Sequence, residues 1–307
     1  MRMVDMDTSK EKDHTRQARQ ILLVVFVLTA IFMIVEVFVG LFANSLALLA
    51  DAGHMLSDVL SLGLSVFALV ISQRPRNSKY TFGYYRAEIL AALFNGLSLV
   101  VISGFIITEA IKRLGETEHV LGTPMLIAAV LGLLINIFGL YALRDHHHEN
   151  LNVSSAFFHI AADLLGSVAA IIASIMIIIT GNAIWDIIIS IGITILIVIS
   201  GAKIIHKALM ILMQRAPDDM NTLEITNEIK LLNMVENVHD LHIWAIDQEK
   251  TMLTAHIEVS EGLCQHDRQE VMRNITNLMG TKYHIQHTTL QVEHPDQLLR
   301  GDNCGCN

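Results

Sequence analysis

The chain has 307 residues, 52% hydrophobic and 17% charged, with a formal net charge of −9 and a mean hydropathy of +0.49, a balance that excludes an ordinary soluble enzyme and points to a membrane protein. The negative charge sits at one end: residues 216–307 hold fifteen Asp/Glu against six Lys/Arg, while residues 1–215 hold fifteen of each. An acidic end disfavours nucleic acid and favours cations.

Residues 1–19 read as an arm carrying Lys10, Lys12, Arg16 and Arg19, ahead of an apolar run too long for the core of a cleavable signal. Six apolar runs follow, at roughly 20–42, 46–72, 87–111, 122–143, 153–180 and 184–207. Each is about the ~20 residues that a helix needs to cross a bilayer core, so residues 20–207 are expected to form an all-α transmembrane domain. The second run contains His54-Met55-Leu56-Ser57-Asp58 and the fifth His159-Ile160-Ala161-Ala162-Asp163. Residues four apart stand on one helix face, so each copy presents an imidazole beside a carboxylate. An unpaired Asp at the bilayer centre costs about 2.5–3.5 kcal/mol on insertion scales, and such residues mark ion pathways. Two such faces brought together supply two nitrogens and two oxygens, a four-coordinate set suited to zinc. Thiolate is missing from that set, which argues against copper(I), and its nitrogens argue against magnesium or calcium; cadmium and cobalt fit. Neutral imidazole binds metal and protonated imidazole does not, so His54 and His159, titrating near ~6.5, are also the expected proton carriers. Glu36, Asp51, Asn95 and Asn136 are further polar residues in the apolar runs, expected in hydrogen bonds between helices or along a cavity wall.

Basic residues choose the orientation. The arm, Arg74, Arg76, Lys79 and Arg86 in the second connection, Arg144 after the fourth run, and Lys203, Lys207 and Arg215 after the sixth all fall on one side, against Lys112 and Arg113 on the other. Both termini are therefore expected in the cytoplasm, with the Ala43-Asn44-Ser45 and Gly181-Asn182 links facing outward. The fourth connection carries Asp145-His146-His147-His148-Glu149, a loop of clustered histidines that either stays solvated or gathers metal near the entrance.

Residues 208–215 read as a linker, and Ala216-Pro217-Asp218-Asp219 ends the apolar region. The remainder, 216–307, reads as helix 219–232, strand 237–247, strand 251–260, helix 264–279 and strand 283–293, an α+β domain of αββαβ order with a flexible tail. In the second strand Leu253, Ala255, Ile257 and Val259 make one face and Met252, Thr254, His256 and Glu258 the other. Cys304 and Cys306, one glycine apart, favour chelation or free thiols over a strained disulfide.

The two His-x-x-x-Asp motifs, with Ser45-Leu46-Ala47-Leu48-Leu49-Ala50-Asp51-Ala52-Gly53-His54, Phe82-Gly83-Tyr84-Tyr85-Arg86-Ala87-Glu88-Ile89-Leu90 and His239-Asp240-Leu241-His242-Ile243-Trp244, resemble the cation diffusion facilitator family from about Leu22 to Glu293. The likeness is to its zinc-transporting branch. It implies a homodimeric exporter of zinc in exchange for protons, with six transmembrane helices per protomer and His54, Asp58, His159 and Asp163 as transport ligands. It also implies a structural or regulatory zinc site in the C-terminal domain at His239, His256 and Glu293. His287 lies six residues before Glu293 on one strand, about 20 Å at ~3.3 Å per residue, so it would serve a neighbouring ion or the other protomer. The histidine loop resembles a shortened form of that of eukaryotic zinc transporters, and Cys304 and Cys306 resemble terminal cysteines of some members, with tighter spacing than Cys-x-x-Cys.

The expected protein is thus a multi-pass zinc/proton antiporter of a bacterial inner membrane, partnered by itself, lipid, zinc and protons, and by no nucleic acid. Two rivals are a metal sensor that transports nothing and an intramembrane metallohydrolase. The latter needs an open coordination position and a general base, which four ligands and the lack of a His-Glu-x-x-His motif do not supply.

Overall fold

A computed structural model describes residues 2–72, 77–114, 119–143, 151–247 and 250–293, with side chains except those of 2–22, 61, 62, 65, 66, 68–70, 72, 143, 151–159 and 162. These residues form α1 (Arg2–Ala43), α2 (Leu46–Ser72), α3 (Arg86–Arg113), α4 (Gly122–Leu143), α5 (Leu151–Thr180), α6 (Ile184–Leu212), α7 (Thr222–Lys230), β1 (Val235–Ala245), β2 (Thr251–Val259), α8 (Gln265–Lys282) and β3 (His287–Glu293). Among the described residues, segments of five helices, α1 and α3 to α6, are long and apolar enough to cross a membrane, and α2 runs 27 residues. Helix α1 runs on through the N-terminal arm, and the other apolar runs match their helices to within a few residues.

The chain makes two compact units, Met1–Leu64 with Phe94–Ile204 and Ser65–Leu93 with Ile205–Asn307. In the first, small residues let helices approach closely. Ala47 and Leu48 of α2, Met125, Ala128 and Ala129 of α4, and Ala170, Ala173 and Ile177 of α5 form one buried cluster. A Cβ on Gly132 of α4 would lie 2.8 Å from the Phe32 ring of α1, and one on Gly201 of α6 would lie 3.3 Å from the Gly96 carbonyl of α3. Such contacts rest on van der Waals packing, because lipid removes the hydrophobic drive between helices. Phe38, Phe105 and Ile179, each about 70% exposed, cover the outside as a lipid-facing surface requires. Asn44, at φ 54°, turns α1 into α2, and Gly181, at φ 65°, ends α5 with its amide on the Ile177 carbonyl.

In the second unit a three-stranded sheet has the order β1-β2-β3, antiparallel between β1 and β2 and parallel between β2 and β3. Leu253, Ala255, Ile257 and Val259 are buried against Ile225 and Ile229 of α7 and Val271, Ile275 and Met279 of α8, whose one-turn spacing sets an apolar stripe on each helix. Asn221 caps α7 by accepting from the Leu223 and Glu224 amides, and Asp267 accepts from the Cys264 amide at the start of α8. The predicted αββαβ order and the two faces of β2 are both present. The last strand starts four residues later than its predicted start at 283, since α8 continues to Lys282 and His284, at φ 55°, makes the turn.

Candidate metal centres

Helices α2 and α5 bring the first pair of expected ligands together. His54 Nε2 lies 3.6 Å from Asp163 Oδ1, with the Asp163 side chain 10% exposed. Asp58 is one turn beyond His54 on α2, and His159 one turn before Asp163 on α5; the His159 side chain lies outside the described residues. The approach of His54 to Asp163 joins the two sequence motifs across helices, as a shared site requires. An imidazole nitrogen and a carboxylate oxygen at this separation attract when the ring is protonated, and a cation of suitable size would bridge them when it is not.

Buried polar groups surround this pair. Glu36 of α1 and Asp51 of α2 are 1% and 7% exposed. Asp51 packs onto the bare face of Gly166, three residues after Asp163 on α5; a Cβ there would lie 3.4 Å from Asp51 Oδ1. Asn95 Nδ2 donates to Ser57 Oγ at 3.1 Å, and Asn136 Nδ2 donates to Ser167 Oγ at 3.2 Å. The two amides thus do what their burial demands, satisfying polar atoms between helices.

The sheet builds a second centre. Antiparallel pairing sets His239 opposite His256, and the parallel register carries Glu293 to the same end, opposite Glu258. Glu293 Oε2 lies 3.2 Å from His239 Nε2 and Oε1 lies 2.8 Å from His256 Nδ1, and the potential ligand atoms fall within 4.8 Å of one another. His256 Nδ1 is buried, and its close approach to Glu293 is off the axis of a hydrogen bond. A buried ring nitrogen close to a carboxylate with which it makes no hydrogen bond suits a cation held by both. Gln291 Nε2 donates to Glu293 Oε1 at 2.8 Å, holding the carboxylate from its other side.

Beside this trio, β1 carries a bulge. Three residue steps from His239 to His242 face two steps from His256 to Thr254 on β2, and Asp240 takes a positive φ of 50°. His239 and His242 consequently share the polar face, which strict alternation would forbid. His242 Nε2 lies 2.9 Å from Asp240 Oδ1, and this contact holds the Asp240 carboxyl below its usual range. Asp240 Oδ2 is 3.8 Å from His256 Nε2, the ring nitrogen turned away from Glu293.

His287 stands at the start of β3, exposed, with its ring edge-on to Phe82 at 6.2 Å; the structure does not bring it to the trio. His146, His147, His148, Cys304 and Cys306 lie outside the described residues. Sequence reasoning quoted Asp240 and His242 within a family-like stretch without giving them a role, and passed over Asp186, a single carboxylate inside an apolar run whose burial was itself a signal.

Comparison with known proteins decides the family. The model of the cation efflux transmembrane domain matches residues 22–213, and that of the cation efflux protein cytoplasmic domain matches 217–295. The chain belongs to the cation efflux family. It is a metal cation transporter, not an enzyme, and an integral multi-pass membrane protein. A protein of Pectobacterium atrosepticum named zinc transporter ZitB is 39% identical over 92% of this chain and 87% of its own length. A cadmium, cobalt and zinc/H(+)-K(+) antiporter of Bacillus subtilis is 37% identical over 90% of this chain and 89% of its own. Among solved structures, the metal-bound C-terminal domain of the CzcD transporter from Cuprividus metallidurans is 30% identical over 24% of this chain and 99% of its own, with a TM-score of 0.23.

Proposed function

We propose that this cation efflux protein exports zinc from the cytoplasm in exchange for protons, with cadmium or cobalt as further cargo, across a bacterial inner membrane. The single observation that carries the reading is the approach of His54 on α2 to Asp163 on α5 at 3.6 Å. His54, Asp58, His159 and Asp163 are its assigned transport ligands. The two carboxylates offset the cost of stripping water from the cation, and the two imidazoles give the set its preference for zinc. Metal and protons compete for the same ring nitrogens, so a metal-loaded state moves outward and a protonated state returns. The relatives' names, one giving zinc and the other cadmium, cobalt and zinc against protons and potassium, support export of these metals against a counter-ion.

The protein works as a homodimer with both termini in the cytoplasm. The trio His239, His256 and Glu293 holds a structural or regulatory zinc; its donor set of two nitrogens and one oxygen, and the buried Nδ1 of His256 facing Glu293, fit that ion. His146, His147 and His148 gather metal at the entrance, while His287, Cys304 and Cys306 would serve a neighbouring ion or a partner protomer.

The test is zinc uptake by vesicles holding the protein with its cytoplasmic face outward, at two internal pH values. Wild type is expected to take up zinc faster into acid-loaded vesicles, with matching proton release, and Asp163→Ala to lose that uptake. Zinc uptake indifferent to the proton gradient would remove the exchange, and no uptake at all would leave the sensor reading in its place.

A further inference from the structure

The turn between α1 and α2 is held by two side chains that the transport site does not use. Asp186, in the first turn of α6 and fully buried, accepts hydrogen bonds from Ser45 Oγ at 2.6 Å, the Leu46 amide at 2.7 Å and the Ala47 amide at 3.2 Å. The first amides of a helix are usually capped by the residue just before it. Here Ser45 caps the Leu48 amide at 3.2 Å, and a carboxylate from another helix takes the two before it, its charge matched to the positive end of α2. Arg113, the last residue of α3, donates to the Asn44 backbone oxygen and to Asn44 Oδ1, both at 2.7 Å, and its charge acts on Asp186.

Two seams meet at this end of α2. Toward α4 and α5, Ala47 and Leu48 join the alanine-rich cluster. Toward α3 and α6, Leu46, Ala110 and Ile187 form a smaller dry cluster, flanked by Leu49, Ile184 and Ile191, beneath the Asp186 bonds. Parting the first seam exposes apolar surface with nothing to replace its contacts. Parting the second uncovers a smaller apolar cluster and lets water take over the bonds of the carboxylate, hydroxyl and amides. The seam to α3 and α6 is therefore the one suited to repeated opening. His54 lies eight residues beyond Leu46, about 12 Å along the helix, so movement of this end is carried directly to a transport ligand.

We propose that Asp186 is a positioning residue for transport, a latch that holds the start of α2 against α6 and keeps that end of the pathway closed while the metal site loads from the other end. The inference rests on the transport reading above, since alternating access requires such a seal to release once per cycle. Asp186→Asn keeps the shape of the side chain, removes its charge and turns an amide donor toward donors.

The experiment uses the full-length protein in oriented vesicles, with Cys264, Cys304 and Cys306 changed to Ser and Ile191→Cys as a reporter beneath the latch. A membrane-impermeant maleimide is applied from the side of the α1–α2 turn. Asp186→Asn is expected to raise labelling by about fivefold or more, the factor that one typical lost hydrogen bond gives, and Ser45→Ala by a smaller factor. Zinc flux at saturating metal, expressed per folded protein in the vesicles, should fall in Asp186→Asn more than the apparent zinc affinity changes. Unchanged labelling in both variants, at wild-type melting temperature, overturns the proposal. Should Asp186→Asn fail to fold, Ser45→Ala alone decides, and no rise in its labelling overturns the latch. Labelling needs no metal, so its failure is distinct from failure of the zinc reading, which wild-type uptake tests separately.

Discussion

On the proposed reading, His54 shows what a single ligand contributes. With two imidazoles in the set, a harder or larger cation meets donors it does not favour; with a third carboxylate in place of one imidazole, that discrimination weakens. His54→Asp is expected to keep zinc transport while admitting cadmium or manganese, with competition ratios shifting by roughly tenfold, about 1.4 kcal/mol. Competitive uptake of paired metals by reconstituted vesicles measures it, and an unchanged zinc preference would remove His54 from the site. At this scale much was legible. His54, Asp58, His159 and Asp163 stood out as candidates because ionisable residues are expensive within apolar runs, and the structure brings His54 to Asp163. Asp240 and His242 did not, because a bulge cancels the alternation on which strand reading depends, and no composition signal marks it.

Between elements, the contacts are of two kinds that respond to different tests. Gly201 lets α6 approach α3 so closely that an added Cβ would meet Leu99 Cβ at 3.2 Å and the Gly96 carbonyl at 3.3 Å. Gly201→Leu is expected to destabilise by about 1–3 kcal/mol through overpacking, read as a lower melting temperature in detergent. In the C-terminal domain, by contrast, Lys282 of α8 pairs with Glu228 of α7 on the open surface. Their hydrogen bond is the largest cause of both shifts, lowering Glu228 and raising Lys282. The Glu228 contribution is present above its unfolded value, about 4.3, and is lost as pH falls through its lowered one. The Lys282 contribution is present below about 10.4 and is lost as pH rises through its raised value. Lys282→Met is therefore expected to lower the melting temperature slightly between those limits and to match wild type beyond them, the effect being small because water screens an exposed pair. The helices and strands themselves were readable from periodicity, including the two faces of β2. The start of β3 was not, since residues 283–286 carry the apolar character of a strand but serve the turn after α8.

On the proposed reading, the whole molecule carries two metal centres of unequal burden. Transport needs its cargo to leave, so the membrane site must bind weakly enough to release, whereas the sheet site can retain its ion. Zinc added to the metal-free protein is accordingly expected to raise the melting temperature, by about 2.7 kcal/mol of added stability at a hundred times the dissociation constant. His256→Ala should remove most of that rise while leaving Asp163→Ala with most of it, and a chelator should reverse it. A rise that survives His256→Ala would place the stabilising ion elsewhere. The charge distribution alone set the acidic residues 216–307 apart from the balanced residues 1–215. The tie from Asp186 and Arg113 to the first turn of α2 was not visible in the sequence, because residues 140 positions apart carry no local mark of their meeting.

The bulge in β1 has an evolutionary reading. The ladder resumes at His242 opposite Thr254 and already absorbs another register shift between Val235 and Asn237, so pairing between β1 and β2 tolerates a change of one residue here. Length at this one position is thus nearly silent to folding and audible to chemistry. Relatives that gain or lose a residue here would retune the charge beside the histidines without having to rebuild the domain that presents them.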